Sequence, residues 1–383
     1  MDGHSVTGVI LLLLSPFLCA GQTSREKDTF DELAARARQA LEAERVEEAI
    51  PLYGRATELR PQWSEGWWRL GTLLYDARRY PEARDAFAHF VAVERKAGPG
   101  FGMLGLSEFQ LGSYEQALAA MEQGIRLGFG PNREFERTVL YRDATLNSLM
   151  GRPEVAIQRL TLLMNEAAAA HPGAGGTSFL GDLEVVDALG IAALRIPKLP
   201  AGVPPEKAAL VRQAGRAQAL FALQDLPAAA REFEQLAATY GSEPGVHYAH
   251  GVFLLKTNPP GAMAEFQKEI EVSPRDADAR AQCAFACLRS GDFSAGLKFA
   301  EAAVKLAPGN FAAHIVLSRL WLALDNAVQA LQQAQIAVKL APNSPDARLV
   351  LSNCYARTNR QQEAERERAE FQRLKDLADR AAR

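Results

Sequence analysis

Beyond residue 20, the 383-residue sequence has no apolar run approaching the roughly 20 residues that cross a bilayer, so the rest of the chain is expected to hold no stable membrane span. Cysteine is scarce. Outside the first segment only Cys283, Cys287 and Cys354 remain, an odd number without framework spacing, which argues against a fold built on disulfides. Neither charge sign dominates: the formal net charge of −3 gives no global reason to expect a nucleic-acid partner or an acidic membrane surface. The constellations that mark common enzymes are missing as well. There is no His-Glu-x-x-His pair, Walker loop or Gly-x-Ser-x-Gly elbow. The stretch Gly173 to Thr177 carries no lysine and follows no strand, so it reads as a plain loop.

Two partial clusters need separate treatment. Cys283 and Cys287 stand i, i+4 on a predicted helix with no histidine or second cysteine pair nearby, and read as small core residues. His247 and His250 share one helix face with Glu243 a turn earlier, but two histidines make an incomplete metal site. They read as packing and groove residues on either side of Tyr248. A catalytic residue, a cofactor and a metal are therefore not expected, and a metal-dependent enzyme at His247 is the third-ranked reading.

What the sequence does have is helix-forming composition: 48% hydrophobic, 23% charged and 8% aromatic residues, with Ala, Leu, Arg, Glu and Gln abundant. At the N-terminus, Val9 to Leu14, Ser15-Pro16 and Phe17-Leu18-Cys19-Ala20 precede polar Gly21-Gln22. This pattern is that of an export signal, 1–20, cleaved after Ala20 and leading to the periplasm or the outside of the cell. Leu18, too large to precede an acylated cysteine, argues against a lipoprotein.

Self-similarity then organises the rest. Pro274, Pro308 and Pro342 are 34 residues apart in matching contexts, and the same interval separates Trp67 from Phe101, Leu70 from Leu104, Gly71 from Gly105, Ala83 from Ala117 and Phe87 from Met121. Trp67-x2-Leu70-Gly71 followed by Ala83-x3-Phe87, repeated as Phe101-x2-Leu104-Gly105 with Ala117, resembles the tetratricopeptide repeat (TPR) family and in particular its bacterial exported members. The resemblance implies an all-α solenoid of antiparallel helix pairs. Small residues at Gly71, Gly105, Gly251 and Ala284 would meet Ala49, Ala83, Ala117, Ala156, Ala262 and Ala330 where two helices cross, and Tyr53, Phe87, Leu160, Phe233 and Phe266 would fill the space between units. Nine units are expected, near 30–63, 64–97, 98–131, 137–170, 210–243, 243–276, 277–310, 311–344 and 345–378. The fourth follows a short insertion at Asn132 to Glu136, and the unit at 210 lacks the glycine. This divides the chain into an N-terminal array, 21–170, an irregular 171–209 with one helix over Leu180 to Leu194 and a proline-rich connection, and a C-terminal array, 210–383, closed by a polar capping helix.

The resemblance also implies which positions line the inner faces. In the N-terminal array they are Trp68, Thr72, Tyr75, Asp76, Leu106, Phe109 and Gln110, an aromatic set suited to an extended peptide. In the C-terminal array they are Tyr248, Lys256, Phe285, Arg289, Arg319, Asn353 and Arg357, a basic set suited to carboxylates. Asn353 and Arg357 match fragments of the two-carboxylate clamp of chaperone-binding members, whose Lys and second Asn are absent from register. The expected function is that of a non-enzymatic scaffold for a protein or peptide partner, in the assembly of an envelope or secreted complex; a peptide or polysaccharide carrier in secretion or envelope biogenesis is the alternative.

Overall fold

The computed structural model describes residues 28–170, 182–196 and 203–381. The expected export signal and the Gly-rich loop at 173–177 lie outside the described residues. Among those described there are nineteen α-helices, one 3-10 turn and no strand.

Eight pairs of consecutive helices form hairpins: α1 (Phe30–Glu42) with α2 (Val46–Leu59), α3 (Ser64–Asp76) with α4 (Tyr80–Val93), α5 (Gly98–Gln110) with α6 (Tyr114–Leu127), and α7 (Arg133–Leu149) with α8 (Pro153–Ala170). After the middle come α12 (Val246–Thr257) with α13 (Pro259–Val272), α14 (Ala277–Ser290) with α15 (Phe293–Leu306), α16 (Phe311–Ala323) with α17 (Ala327–Leu340), and α18 (Pro345–Arg357) with α19 (Gln361–Ala381). The middle holds α9 (Leu183–Ala193), the turn Pro205–Lys207, α10 (Ala208–Ala222) and α11 (Leu226–Tyr240). Residues 133–136, expected in an insertion, are helical instead: Asn132 caps α7 by accepting from the Phe135 amide, and the insertion lengthens that helix to 17 residues.

The hairpin crossings follow from side-chain size. Ala49, Ala83, Ala117, Ala156, Ala262 and Ala330 are fully buried, as are Tyr53, Phe87, Phe233 and Phe266. A Cβ added at Gly71 would lie 2.8 Å from the Phe87 ring, and one at Gly251 would lie 2.7 Å from that of Phe266. Where serine takes the same place, its hydroxyl is used: Ser318 donates to the Ala330 carbonyl and Ser352 to that of Ala364, each at 2.8 Å.

Turns inside the hairpins reverse the chain through one left-handed residue. Gly112, Gly151 and Gly291 fill this place in three of them, but Glu44, Arg78, Gln224, Asp325 and Asn359 do so elsewhere with φ between 56° and 65°. The α12–α13 turn departs from this plan. Only Asn258 separates its helices, at φ −149°, and its side chain caps α13 by accepting from the Gly261 amide.

In the middle, α9 packs on α10 more closely than any side chain permits. A Cβ at Gly190 would lie 1.9 Å from the Val211 carbonyl oxygen, and one at Gly215 would lie 1.9 Å from that of Val186. The unit at 210 thus has its glycine, two positions ahead of the register, and it serves α9 rather than α11. Ala217 stands in the crossing position, in one apolar cluster with Ala229 and Phe233. One cluster joins Leu140 and Leu160 to Leu189 and Ala219, and the next joins Leu194 and Val211 to Phe233 and Phe253, so apolar packing continues through the middle.

A buried polar clasp fixes this region to the units that follow. Arg195 lies 3.5 Å above the Tyr248 ring, donates to both Asp276 carboxylate oxygens and pairs with Asp278 at 3.1 Å. Glu269, fully buried beside it, accepts from the amides of Gly245 at 2.8 Å and Tyr248 at 3.1 Å, which satisfies free N–H groups at the start of α12.

Candidate functional site

The residues expected on the inner faces occupy unequal positions. Trp68 is half-buried, its ring 5.7 Å from Phe87 and 5.2 Å from Phe90, so much of its surface belongs to the α3–α4 hairpin. The Thr72 hydroxyl donates to its own helix, to the Trp68 and Arg69 carbonyls. Tyr75 stands edge-on to Tyr80 at 5.4 Å, and burial raises its phenol above the usual range. Phe109 is half-buried against Tyr114, while Asp76 and Gln110 are exposed. Leu106 is only 5% exposed and belongs to the core of α5 and α6.

One residue next to this set was not expected. Arg142 on α7 holds its guanidinium 5.3 Å from the Phe109 ring and 5.6 Å from that of Tyr141, and takes no ion pair among the described residues. The signal in the sequence was an arginine adjoining an aromatic residue, Tyr141-Arg142.

In the C-terminal set, charge is partly spent. Arg357 pairs with Asp325, and Arg319 stands 3.8 Å from Asp346. Lys256 donates to Gln224 at 2.5 Å, and Asn353 is exposed. Tyr248 is buried beneath Arg195 instead of lining an open face. Phe285 and Arg289 do meet at one place: both line a cavity of about 510 Å³.

The histidines lie inside the fold. His247 Nδ1 is 2.6 Å from Glu265 Oε2, His250 Nδ1 is 3.3 Å from the same oxygen, and Lys268 donates to Oε1 at 2.7 Å. Burial pushes the Glu265 carboxyl up, but hydrogen bonds from His250, Lys268 and His247 outweigh it and hold the group well below the usual carboxylate range. Glu243, the acid expected beside the histidines, pairs with Lys207 instead. No group of three ligating side chains fit for a metal ion occurs among the described residues. Cys283, Cys287 and Cys354 are all buried, and burial pushes the Cys283 thiol up to about 12, far from the range of a reactive thiolate.

Stacked antiparallel helix pairs, with small residues at each crossing, define a helical-hairpin repeat protein. The profile of the tetratricopeptide repeat family matches residues 34–99, 286–345 and 322–379, and over those segments the helix pairs are tetratricopeptide repeats. Among solved structures, the chain is similar to MamA from residue 41 to its end from Desulfovibrio magneticus RS-1, at 19% identity over 44% of this chain and 97% of that one, with a TM-score of 0.39. It is also similar to a chain of the APC/C hetero-tetramer Cut9-Hcn1, at 13% identity over 91% of this chain and 66% of that one, with a TM-score of 0.38. No curated protein matches the sequence. Among the described residues, no helix is long and apolar enough to cross a membrane.

Proposed function

We propose that this chain is an exported, non-enzymatic scaffold that holds protein partners against the inner faces of its repeat array and serves the assembly of an envelope or secreted complex. The observation that carries the reading is a pair of arginines that take no ion pair among the described residues: Arg142 among Tyr141 and Phe109, and Arg289 beside Phe285. Each sets a charge without a carboxylate partner among the described residues next to apolar surface, which is how interface hot spots are built. The array 21–170 then offers an aromatic face, the array 210–383 a mixed apolar and basic one, and 171–209 connects them. Export rests on the apolar segment ending at Ala20.

The test uses the full chain as bait on native extract, beside the variants Phe109→Ala/Arg142→Ala and Arg289→Ala/Arg319→Ala, with retained proteins identified by mass spectrometry. A partner lost with one inner-face variant and kept by the other is the expected result. Equal retention by both variants and the native chain, with cross-links confined to the outer helices, overturns the reading. Saturation of one face by a short peptide or oligosaccharide, with no protein retained, favours the carrier alternative. The mass of the mature chain decides export: a product starting at Gly21 is expected, and an intact Met1 product after secretion assays excludes it.

A further inference from the structure

Twelve residues separate Gly71 from Ala83, Gly105 from Ala117, Ser318 from Ala330 and Ser352 from Ala364, the two contact points of each hairpin. Only eleven separate Gly251 from Ala262. The missing residue falls in the α12–α13 turn, which is reduced to Asn258 and has no left-handed residue. The next hairpin is also tight, with only Gly291 and Asp292 between α14 and α15. Between the shortened α12–α13 turn and the α14–α15 turn lies the 510 Å³ cavity, within the range of roughly 300–1,000 Å³ typical of ligand pockets.

Leu255, Pro259, Pro260 and Met263 form one wall of this cavity, and Phe285 and Cys287 belong to the other. Its rim has two charges with different fates. Asp292 is occupied as the cap of α15, accepting from the Ala295 amide at 3.1 Å. Arg289 is exposed and takes neither an ion pair nor a side-chain hydrogen bond among the described residues. An apolar cavity with one free guanidinium at its edge complements an apolar group next to an anion, since a carboxylate there gains charge-assisted, fork-shaped hydrogen bonds.

We infer that the one-residue deletion in the α12–α13 turn opens an anchor site for an extended polypeptide segment, in which a bulky apolar side chain enters the cavity and a neighbouring Asp or Glu pairs with Arg289. This rests on the protein-binding reading above and gives it a partner chemistry. A register gap that in most repeats is filled by turn backbone becomes the specificity element of this array.

The test measures fluorescence anisotropy of labelled decapeptides on the full chain. Each peptide is built of Gly and Ser, carries Trp, Leu or no anchor, and has Asp, Ser or Lys beside it. The variants are Arg289→Glu, Ala286→Phe to fill the cavity, Phe109→Ala on the other face, and exposed Lys298→Ala on α15 as a control, with melting curves showing that each folds. The native chain is expected to prefer an anchor followed by Asp; Arg289→Glu shifts the Asp-to-Lys preference by at least about tenfold toward Lys. Ala286→Phe weakens every anchored peptide, and Lys298→Ala changes none. An unchanged preference in Arg289→Glu overturns the proposal, as does a panel that fails to bind at all. Binding sensitive to Phe109→Ala alone sinks this site and leaves the scaffold reading standing. Octanoate bound in the cavity in the absence of any peptide binding makes it a small-ligand pocket, which also overturns the proposal. A chain that binds no peptide and retains no partner from extract loses both.

Discussion

The hydroxyl of Ser318 donates to the carbonyl of Ala330 on the facing helix, 2.8 Å away, and Ser352 repeats the bond to Ala364 one unit later. Both serines are buried. The small residue at this crossing thus does two things in the last units: it lets the helices approach and it ties them with a hydrogen bond that glycine and alanine lack. Ser318→Ala is expected to lower stability by about 1 kcal/mol, and Ser318→Val by about 2–3 kcal/mol because its bulk also forces the crossing apart. Chemical denaturation of the three proteins checks the order; equal midpoints would show the bond to be of no consequence.

The α9–α10 contact should be less tolerant still. Gly190→Ala and Gly215→Ala each place a methyl within 1.9 Å of a carbonyl oxygen on the facing helix, where backbone must move to make room. A loss of at least about 3 kcal/mol is expected for either, read as a fall in Tm. The same substitution at half-buried Gly54, where a Cβ meets nothing within 4 Å, should raise stability by up to about 1 kcal/mol through helix propensity.

Asp143 predicts a pH dependence. It is fully buried on α7, accepts from Arg159 at 3.0 Å and Asn147 at 3.1 Å, and burial pushes its carboxyl up to about 6 against the opposing charge of Arg159. Because the folded value lies above the unfolded 3.8, the stability this group contributes is complete below about pH 4 and lost as pH rises through 6, by up to roughly 3 kcal/mol at pH 7. The native chain should therefore gain more in Tm than Asp143→Asn does when pH is lowered from 7.5 to 5. Parallel curves for the two proteins would exclude it.

Left-handed turn residues with a side chain store strain that glycine would release. Arg78, at φ 59°, forms no ion pair among the described residues. Arg78→Gly is expected to stabilise by up to about 1 kcal/mol, with Gly112→Ala, at φ 74°, destabilising by a similar amount. Thermal melts of both variants check the opposite signs.

Much of the architecture could be read from the sequence because a repeat writes its packing into its period: Gly71 and Ala83 recur as Gly105 and Ala117 since the same crossing recurs in space. What could not be read came from departures. Nothing local to Arg195 indicates that it reaches Asp276, because the contact depends on how four intervening helices fold back. The register placed Tyr248 on an inner face, and the same clasp buries it. Arg357 looked like free charge until Asp325, 32 residues earlier and in a turn, was brought beside it.

Repeat arrays are held mainly by nearest neighbours, so tension applied to their ends usually peels them unit by unit. The bond from Arg195 to Asp276 spans 81 residues and that to Asp278 spans 83, bridging the chain across α10 to α13. Pulled from its ends, this chain carries load across its centre through a side-chain shortcut rather than through the helices in between. Its force–extension trace should then show an outer series of small steps and one large central release, whose length is the slack hidden behind Arg195.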